Sequence, residues 1–139
     1  MTLRHAVDSF ELLTHFFDAV NRFDMEAVAK CFDPEILRVE PEGFDTAGTY
    51  LGAESVLRHL EQGRGTWAEG SCNPEEFFSN GDRVVVYLHA QVRLKESGEW
   101  VGGRFADGFV VREGRIAEYR TFWERADALA WAGIEKAAG

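Results

Sequence analysis

The chain has 139 residues, 45% hydrophobic and 28% charged. That is the length and composition of one globular domain, and it excludes disorder. Fifteen Lys and Arg against 24 Asp and Glu leave a formal charge of −9, which argues against nucleic acid and anionic membrane as partners, because phosphate contacts need a basic patch.

No apolar run approaches the roughly 18 residues of a membrane helix. The opening Met-Thr-Leu-Arg-His lacks the apolar core of a signal peptide. Cys31 and Cys72 form neither a metal-ligand spacing nor a disulfide framework, so the expected compartment is cytoplasmic. Aromatic residues reach 13%, with 11 Phe and 4 Trp. That is rich for a domain of this size and points to an aromatic-lined interior or pocket.

In chain order, a first helix is expected from Thr2 or Ser9 to Phe23. Phe10, Leu13, Phe17 and Val20 make one apolar stripe, and Leu12, Phe16, Ala19 and Phe23 make a second. A helix this apolar is covered on more than one side or faces a cavity. Asp24 can cap a short second helix that Asp33-Pro34 ends. Ile36 to Glu40 reads as a strand stopped by Pro41, and Glu42 to Thr49 as a loop. A third helix runs from Ala53 to Gln62, with Val56, Leu57 and Leu60 inward and Gly63 as its stop.

Asn80-Gly81 is the strongest hairpin signal. It joins a strand around Cys72–Ser79 to one from Arg83 to Lys95. Strands from Trp100 to Arg112 and from Arg115 to Trp123 follow, and a short helix from about Ala126 closes the chain. The expected fold is α+β. A curved antiparallel sheet wraps as a cone around three N-terminal helices, with a pocket between helices and sheet, in a single domain over 1–139.

Alternation along Trp100–Arg112 puts Val101, Gly103, Phe105, Asp107, Phe109 and Val111 on one face. Asp107 is the one charged group among them. A carboxylate between two phenylalanines must be paired, protonated or open to a wet cavity. Burial raises its pKa, and a neutral carboxylic acid in an apolar pocket can donate to a substrate oxygen. The alternative is a structural Asp bound to a backbone amide or an Arg.

Glu40 is the second candidate, at a strand end where a carboxylate near a pocket mouth suits a general base. It shares a face with Ile36 and Arg38, and the alternative is a surface strand with both charges solvated. In Arg83–Lys95, alternation alone buries Val84, Val86, Leu88, Ala90 and Val92 and leaves Tyr87 and His89 outside. If the sheet packs on both faces, Tyr87, His89 and Gln91 line the cavity instead. Tyr119, Thr121 and Trp123 share a face of the last strand, with Trp123 as core or pocket wall. His5, His15 and His59 are expected on the surface, and Cys31 in the core. Walker, Rossmann-glycine, Gly-x-Ser-x-Gly and His-Glu-x-x-His motifs are absent, so neither a nucleotide cofactor nor a catalytic metal is expected.

The order of elements resembles the nuclear-transport-factor-2-like superfamily, which includes ketosteroid isomerase, SnoaL-like polyketide cyclases, scytalone dehydratase and limonene epoxide hydrolase. The resemblance covers nearly the whole chain. It rests on Phe16-Phe17-Asp18-Ala19-Val20-Asn21-Arg22-Phe23-Asp24-Met25-Glu26-Ala27-Val28, on Tyr50-Leu51-Gly52-Ala53-Glu54-Ser55-Val56, and on Ala106-Asp107-Gly108-Phe109-Val110-Val111-Arg112-Glu113-Gly114-Arg115-Ile116 followed by Phe122-Trp123. The isomerase's base, an Asp before Pro, is similar to Glu40-Pro41. Its proton-donating Asp falls on Asp107 and its pocket-wall Trp on Trp123. The same register puts Tyr87, His89 and Gln91 on the cavity side. The oxyanion-hole Tyr falls on Phe16, which has no donor, and the supporting tyrosines fall on Phe32 and Leu60. SnoaL-like cyclases are similar in another respect, relying mainly on one acidic residue at the Asp107 position.

The resemblance implies a cofactor-free catalyst of isomerase, cyclase or lyase type acting on a small apolar carbonyl compound. Glu40 would take a proton and Asp107 would stabilise the enolate, inside a wall of Phe16, Tyr87, His89, Phe105, Phe109 and Trp123. The other expectation is a non-catalytic ligand-binding or dimeric interaction module on the same fold. A two-fold homodimer is expected in either case.

Overall fold

The computed structural model describes residues 3–44 and 46–135. Its elements are α1 (Leu3–Asn21), α2 (Met25–Lys30), β1 (Phe32–Glu40), β2 (Gly48–Leu51), α3 (Ala53–Arg64), β3 (Trp67–Asn80), β4 (Arg83–Leu94), β5 (Trp100–Arg112), β6 (Arg115–Phe122) and α4 (Arg125–Ala132). The six strands form one curved, unclosed sheet in the order β2-β1-β6-β5-β4-β3. The expected α+β class holds, with one correction. The sheet is mixed, because β1 lies parallel to β6 while all other neighbours are antiparallel. Among the described residues, no helix is long and apolar enough to cross a membrane.

Both apolar stripes of α1 are used. Leu13, Phe16, Phe17 and Ala19 are buried against the concave side of the sheet, with Phe10, Leu12 and Val20 packed beside them. The Asp24 carboxylate accepts the Ala27 backbone N–H at 3.1 Å and starts α2.

Two strands run beyond their expected bounds. β1 begins at Phe32 rather than Ile36, and its pairing with β6 is irregular between Phe32 and Leu37. Pro34 falls in that irregular stretch, where its missing N–H breaks no ladder bond. β3 starts at Trp67, with irregularities flanking Ala68 and Glu75. As an edge strand it tolerates Pro74 and the polar residues that hide its alternation. The stretch expected as a loop to Thr49 ends instead in β2, which pairs Glu40 with Gly48 and Leu37 with Leu51.

The sheet is covered on both sides. On the concave side lie α1, α2 and α3. On the convex side α4 buries Ala128, Leu129 and Ala132 against Val85 and Ala106. Gly108 makes that contact possible, since a Cβ there would stand 2.7 Å from the Trp131 ring.

The β4–β5 register pairs Val86 with Asp107, Leu88 with Phe105 and Val84 with Phe109, whereas Tyr87 opposes Ala106 and His89 opposes Arg104. Directly opposite residues share a face. Tyr87 and His89 therefore lie on the convex face, away from Asp107, and the assignment of both to a concave wall is corrected. Tyr87 packs on Phe78 at 4.8 Å beneath the Arg125 guanidinium at 4.3 Å. Simple alternation read this strand rightly because the apolar set seeks the larger concave core.

Candidate functional site

The concave face carries two neighbouring rungs of functional side chains. The first crosses Tyr50, Arg38, Tyr119, Phe109 and Val84 on β2, β1, β6, β5 and β4. In the second, Asp107 lies between Thr121 and Val86. Glu40 follows Arg38 by two residues, as Thr121 follows Tyr119, so the second rung reads Glu40, Thr121, Asp107. With strands about 4.8 Å apart, the backbones of Glu40 and Asp107 are roughly 10 Å apart with Thr121 between them.

Asp107 is 2% exposed. The Thr121 hydroxyl donates to its Oδ1 at 2.7 Å, and the Tyr119 side chain also hydrogen-bonds to it. Burial pushes its pKa up to about 6, the nearby Glu40 charge adds to the rise, and Arg38, Thr121 and Tyr119 restrain it. Burial also drives the Tyr119 phenol up, helped by the Asp107 charge. Cys72 is pushed up for the same two reasons, so its thiol is inert.

Glu40 behaves oppositely. Burial alone would raise it, but a hydrogen bond from His59, another from Thr46 and the Arg38 charge outweigh burial and hold it below the usual carboxylate value. Thr46 Oγ1 donates to Oε1 at 2.6 Å, Arg38 Nη2 donates to Oε2 at 3.2 Å, and His59 Nε2 stands 3.3 Å from Oε1. His59 Nε2 also faces the Thr46 carbonyl at 3.3 Å. Both neighbours are acceptors, so Nε2 carries a proton. The Tyr50 ring lies 4.1 Å from the His59 ring, and its hydroxyl donates to the Thr46 carbonyl at 2.6 Å.

Arg38 joins the two rungs. Its guanidinium lies 3.9 Å above the Tyr119 ring, and its side chain is 3% exposed. Nη1 donates to the carbonyls of Val39 and Tyr119 at 3.0 and 3.4 Å. Its Nε and the Nδ1 of His59 are buried without a partner. A buried polar group left so costs about 1–3 kcal/mol, and such groups mark ligand or water positions.

Around these groups the interior is aromatic and packed. Phe16 is fully buried, edge-on to Phe17, Phe109 and Tyr119 at 5.1, 5.8 and 5.5 Å. Phe105 is half-buried on the same face as Asp107. Trp123 is 48% exposed, so it is no core residue. It stacks on Phe44 at 4.4 Å and donates through Nε1 to the Glu42 carbonyl at 2.8 Å. That places it on the loop carrying Thr46, at the rim. Two open surface pockets among the described residues lie elsewhere. One is outside α1, around Val7, Phe10 and His15, and one is at the start of α3, around Leu51 and Arg58. Neither is lined by Asp107. Among the described residues, no three His, Cys, Asp or Glu side chains come together as a metal site requires.

Asp107, Phe16, Phe105 and Phe109 thus share the concave face with Glu40. His59 corrects the expectation of a surface histidine. It is buried on α3 beside Val56, and its spacing of three residues from Val56 was the available signal. Arg38 was legible on the same grounds, since alternation places it with Ile36, which is fully buried. Thr46 carried no signal, because it sits in an irregular loop.

The family profile described as a SnoaL-like domain matches residues 13–119. Uncharacterized protein Rv0034 of Mycobacterium tuberculosis is 26% identical over 115 residues, covering 81% of this chain and 86% of that protein. The crystal structure of TerC co-crystallised with polyporic acid superposes with a TM-score of 0.74 at 22% identity, over 90% of this chain and 97% of TerC. A putative polyketide cyclase from Sinorhizobium meliloti gives a TM-score of 0.62 at 24% identity, over 80% and 93% of the two chains. At these identities the likeness to the two structures is one of fold.

Proposed function

The chain belongs to the SnoaL-like domain family, and from that premise we propose that it is a cofactor-free acid–base catalyst acting on a small apolar carbonyl compound, with Asp107 as the proton-transferring group. One observation carries this reading. Two carboxyl groups in one buried cluster are driven apart in proton affinity, Asp107 up to about 6 and Glu40 below its ordinary range. Such separation is how sites run acid–base chemistry near neutral pH.

The partners of Glu40 favour a reversal of the expected roles. With Thr46, His59 and Arg38 all bonded to it, Glu40 is a poor base. Its work is to fix Arg38 and His59. Asp107, ionised above about 6, is matched to take a proton near pH 7. It removes the proton from the carbon next to the carbonyl, the electron pair of that C–H bond becomes the C=C bond of the enolate, and the C=O π pair moves onto the oxygen. Delivery of a solvent-derived proton back to that carbon completes exchange, and delivery to the far carbon of a conjugated dienolate completes isomerisation. Phe16, Phe105 and Phe109 exclude water, and Trp123 with Phe44 forms the rim through which a ligand enters. TerC, which has the same fold, was co-crystallised with polyporic acid, and this supports a small organic ligand here.

The test is α-hydrogen exchange of acetophenone and 1-indanone in deuterated water, followed by proton NMR. Exchange is expected to rise with pH through about 6 and level off above it, since the ionised carboxylate is the active form. A rate no higher than buffer alone with a ketone that measurably binds would support the second reading, a ligand-binding module without turnover. The absence of a donor at Phe16 favours that alternative.

The proposal includes a two-fold dimer. On the convex side α4 covers Val85 and Ala106. Exposed Trp100 and Val101 at the start of β5 remain for a second copy to bury. Light scattering at micromolar concentration should give twice the chain mass, and a single-chain mass removes the dimer.

A further inference from the structure

We propose that Arg38 is the ligand-oxygen receptor of this site, and that its open Nε–H selects a neutral oxygen acceptor, a ketone or aldehyde oxygen, over a carboxylate. The inference deepens the reading of Asp107 as the proton-transferring group.

The donor inventory of the guanidinium points there. Nη1 is occupied by two backbone carbonyls and Nη2 by Glu40 Oε2. Nε is buried and has no partner. In a guanidinium the Nε and Nη2 hydrogens form one side of a planar fork that matches a pair of oxygens. Glu40 fills only the Nη2 half. The free Nε–H therefore belongs to the guanidinium that Glu40 binds, near enough to Asp107 for its charge to act there. The Tyr119 ring holds the guanidinium plane from below at 3.9 Å, and Phe109 stacks on Tyr119 at 4.9 Å. An oxygen on an aromatic or aliphatic frame would have apolar surface beside it.

Charge decides the class of oxygen. The single positive charge of Arg38 is already matched by Glu40, which is bonded to it. A ligand carboxylate in the vacant half would sit against Glu40 and share the cluster with Asp107, where like charges repel strongly at low dielectric. A carbonyl oxygen brings only a partial charge and takes the hydrogen bond. When Asp107 removes the neighbouring proton, the charge that develops on that oxygen faces the guanidinium. Arg38 would thereby supply the donor that Phe16 lacks.

The experiment reads the Arg38 Nε–H resonance in proton–nitrogen NMR, assigned with Arg38→Lys. Three probes of similar size are titrated: acetophenone, benzoate and ethylbenzene. Acetophenone is expected to move the resonance downfield in proportion to occupancy. Ethylbenzene leaves it in place, and benzoate binds at least tenfold more weakly than acetophenone. Arg38→Lys keeps the charge beside Glu40 but removes the fork, and it should weaken acetophenone at least tenfold with ethylbenzene unaffected. Benzoate binding as tightly as acetophenone overturns the inference. So does an Nε–H resonance that stays fixed at saturation, which identifies the vacant half as a structural water position only, and so does failure of acetophenone to bind at millimolar concentration. The two proposals fail separately. Exchange that depends on Asp107 with an unmoved Nε–H removes only the receptor role of Arg38. A shifted Nε–H without exchange removes only the catalysis.

Discussion

Asp107→Asn is expected to lower ketone exchange by about 100- to 10,000-fold, the usual contribution of a positioned proton-transfer group, while leaving the fold intact. The same substitution changes the pH dependence of stability, and the sign follows from burial. Folding raises the Asp107 pKa from 3.8 to about 6, so the native state favours the protonated form. Its contribution is fully present at low pH and is lost as pH rises through 6. At about 1.36 kcal/mol per pH unit, that loss approaches about 3 kcal/mol above pH 7. Asparagine does not titrate. Wild type should therefore lose about 2–3 kcal/mol relative to the variant between pH 4 and pH 8. Urea denaturation at the two pH values measures this, and parallel stabilities of the two proteins would show that Asp107 keeps an ordinary carboxylate pKa in the fold. An Asp107→Asn protein with normal exchange would remove Asp107 from the mechanism.

Arg38→Met is expected to destabilise the protein by about 3–5 kcal/mol at pH 7, because it strips a buried carboxylate of its ion partner. Glu40 is 10% exposed on its side chain and would keep only Thr46 and His59. Methionine keeps an apolar side chain of similar length but loses the guanidinium over Tyr119 and its bonds to the carbonyls of Val39 and Tyr119. Arg38→Met combined with Glu40→Gln removes both charges and should recover most of the loss, the non-additivity measuring the coupling. Arg38 also restrains the rise of the Asp107 pKa. The midpoint of the exchange profile should therefore move above 6 in whatever Arg38→Met protein folds. A single variant within about 1 kcal/mol of wild type would mean that the pair is solvated in solution.

Both effects grow from two rungs that are only partly visible in the primary structure. Alternation along β5 isolates Asp107 among Phe105, Phe109 and Val111, and alternation along β1 groups Ile36, Arg38 and Glu40. Such period-two patterns depend only on neighbouring residues in the chain, so they survive without coordinates. The order of elements and the Asn80-Gly81 hairpin were legible for the same reason. Irregular stretches were less so. Asp33-Pro34 read as a break, yet Pro34 lies in a strand where pairing is irregular.

By itself the sequence determined the α+β class, the succession of helices and strands apart from β2, and the placing of one acidic residue in an apolar face. Tertiary structure decided which side of β4 faces the core, and so removed Tyr87 and His89 from the site. It also brought Arg38, Thr46, His59, Tyr119 and Thr121 around the two carboxyl groups, from β1, a loop, α3 and β6. Their proton affinities are sums over burial and charge in three dimensions. Glu40 is low because of His59 and Thr46, 19 and 6 positions away in the chain, and Asp107 is high because the fold buries it, and local patterns hold no record of either.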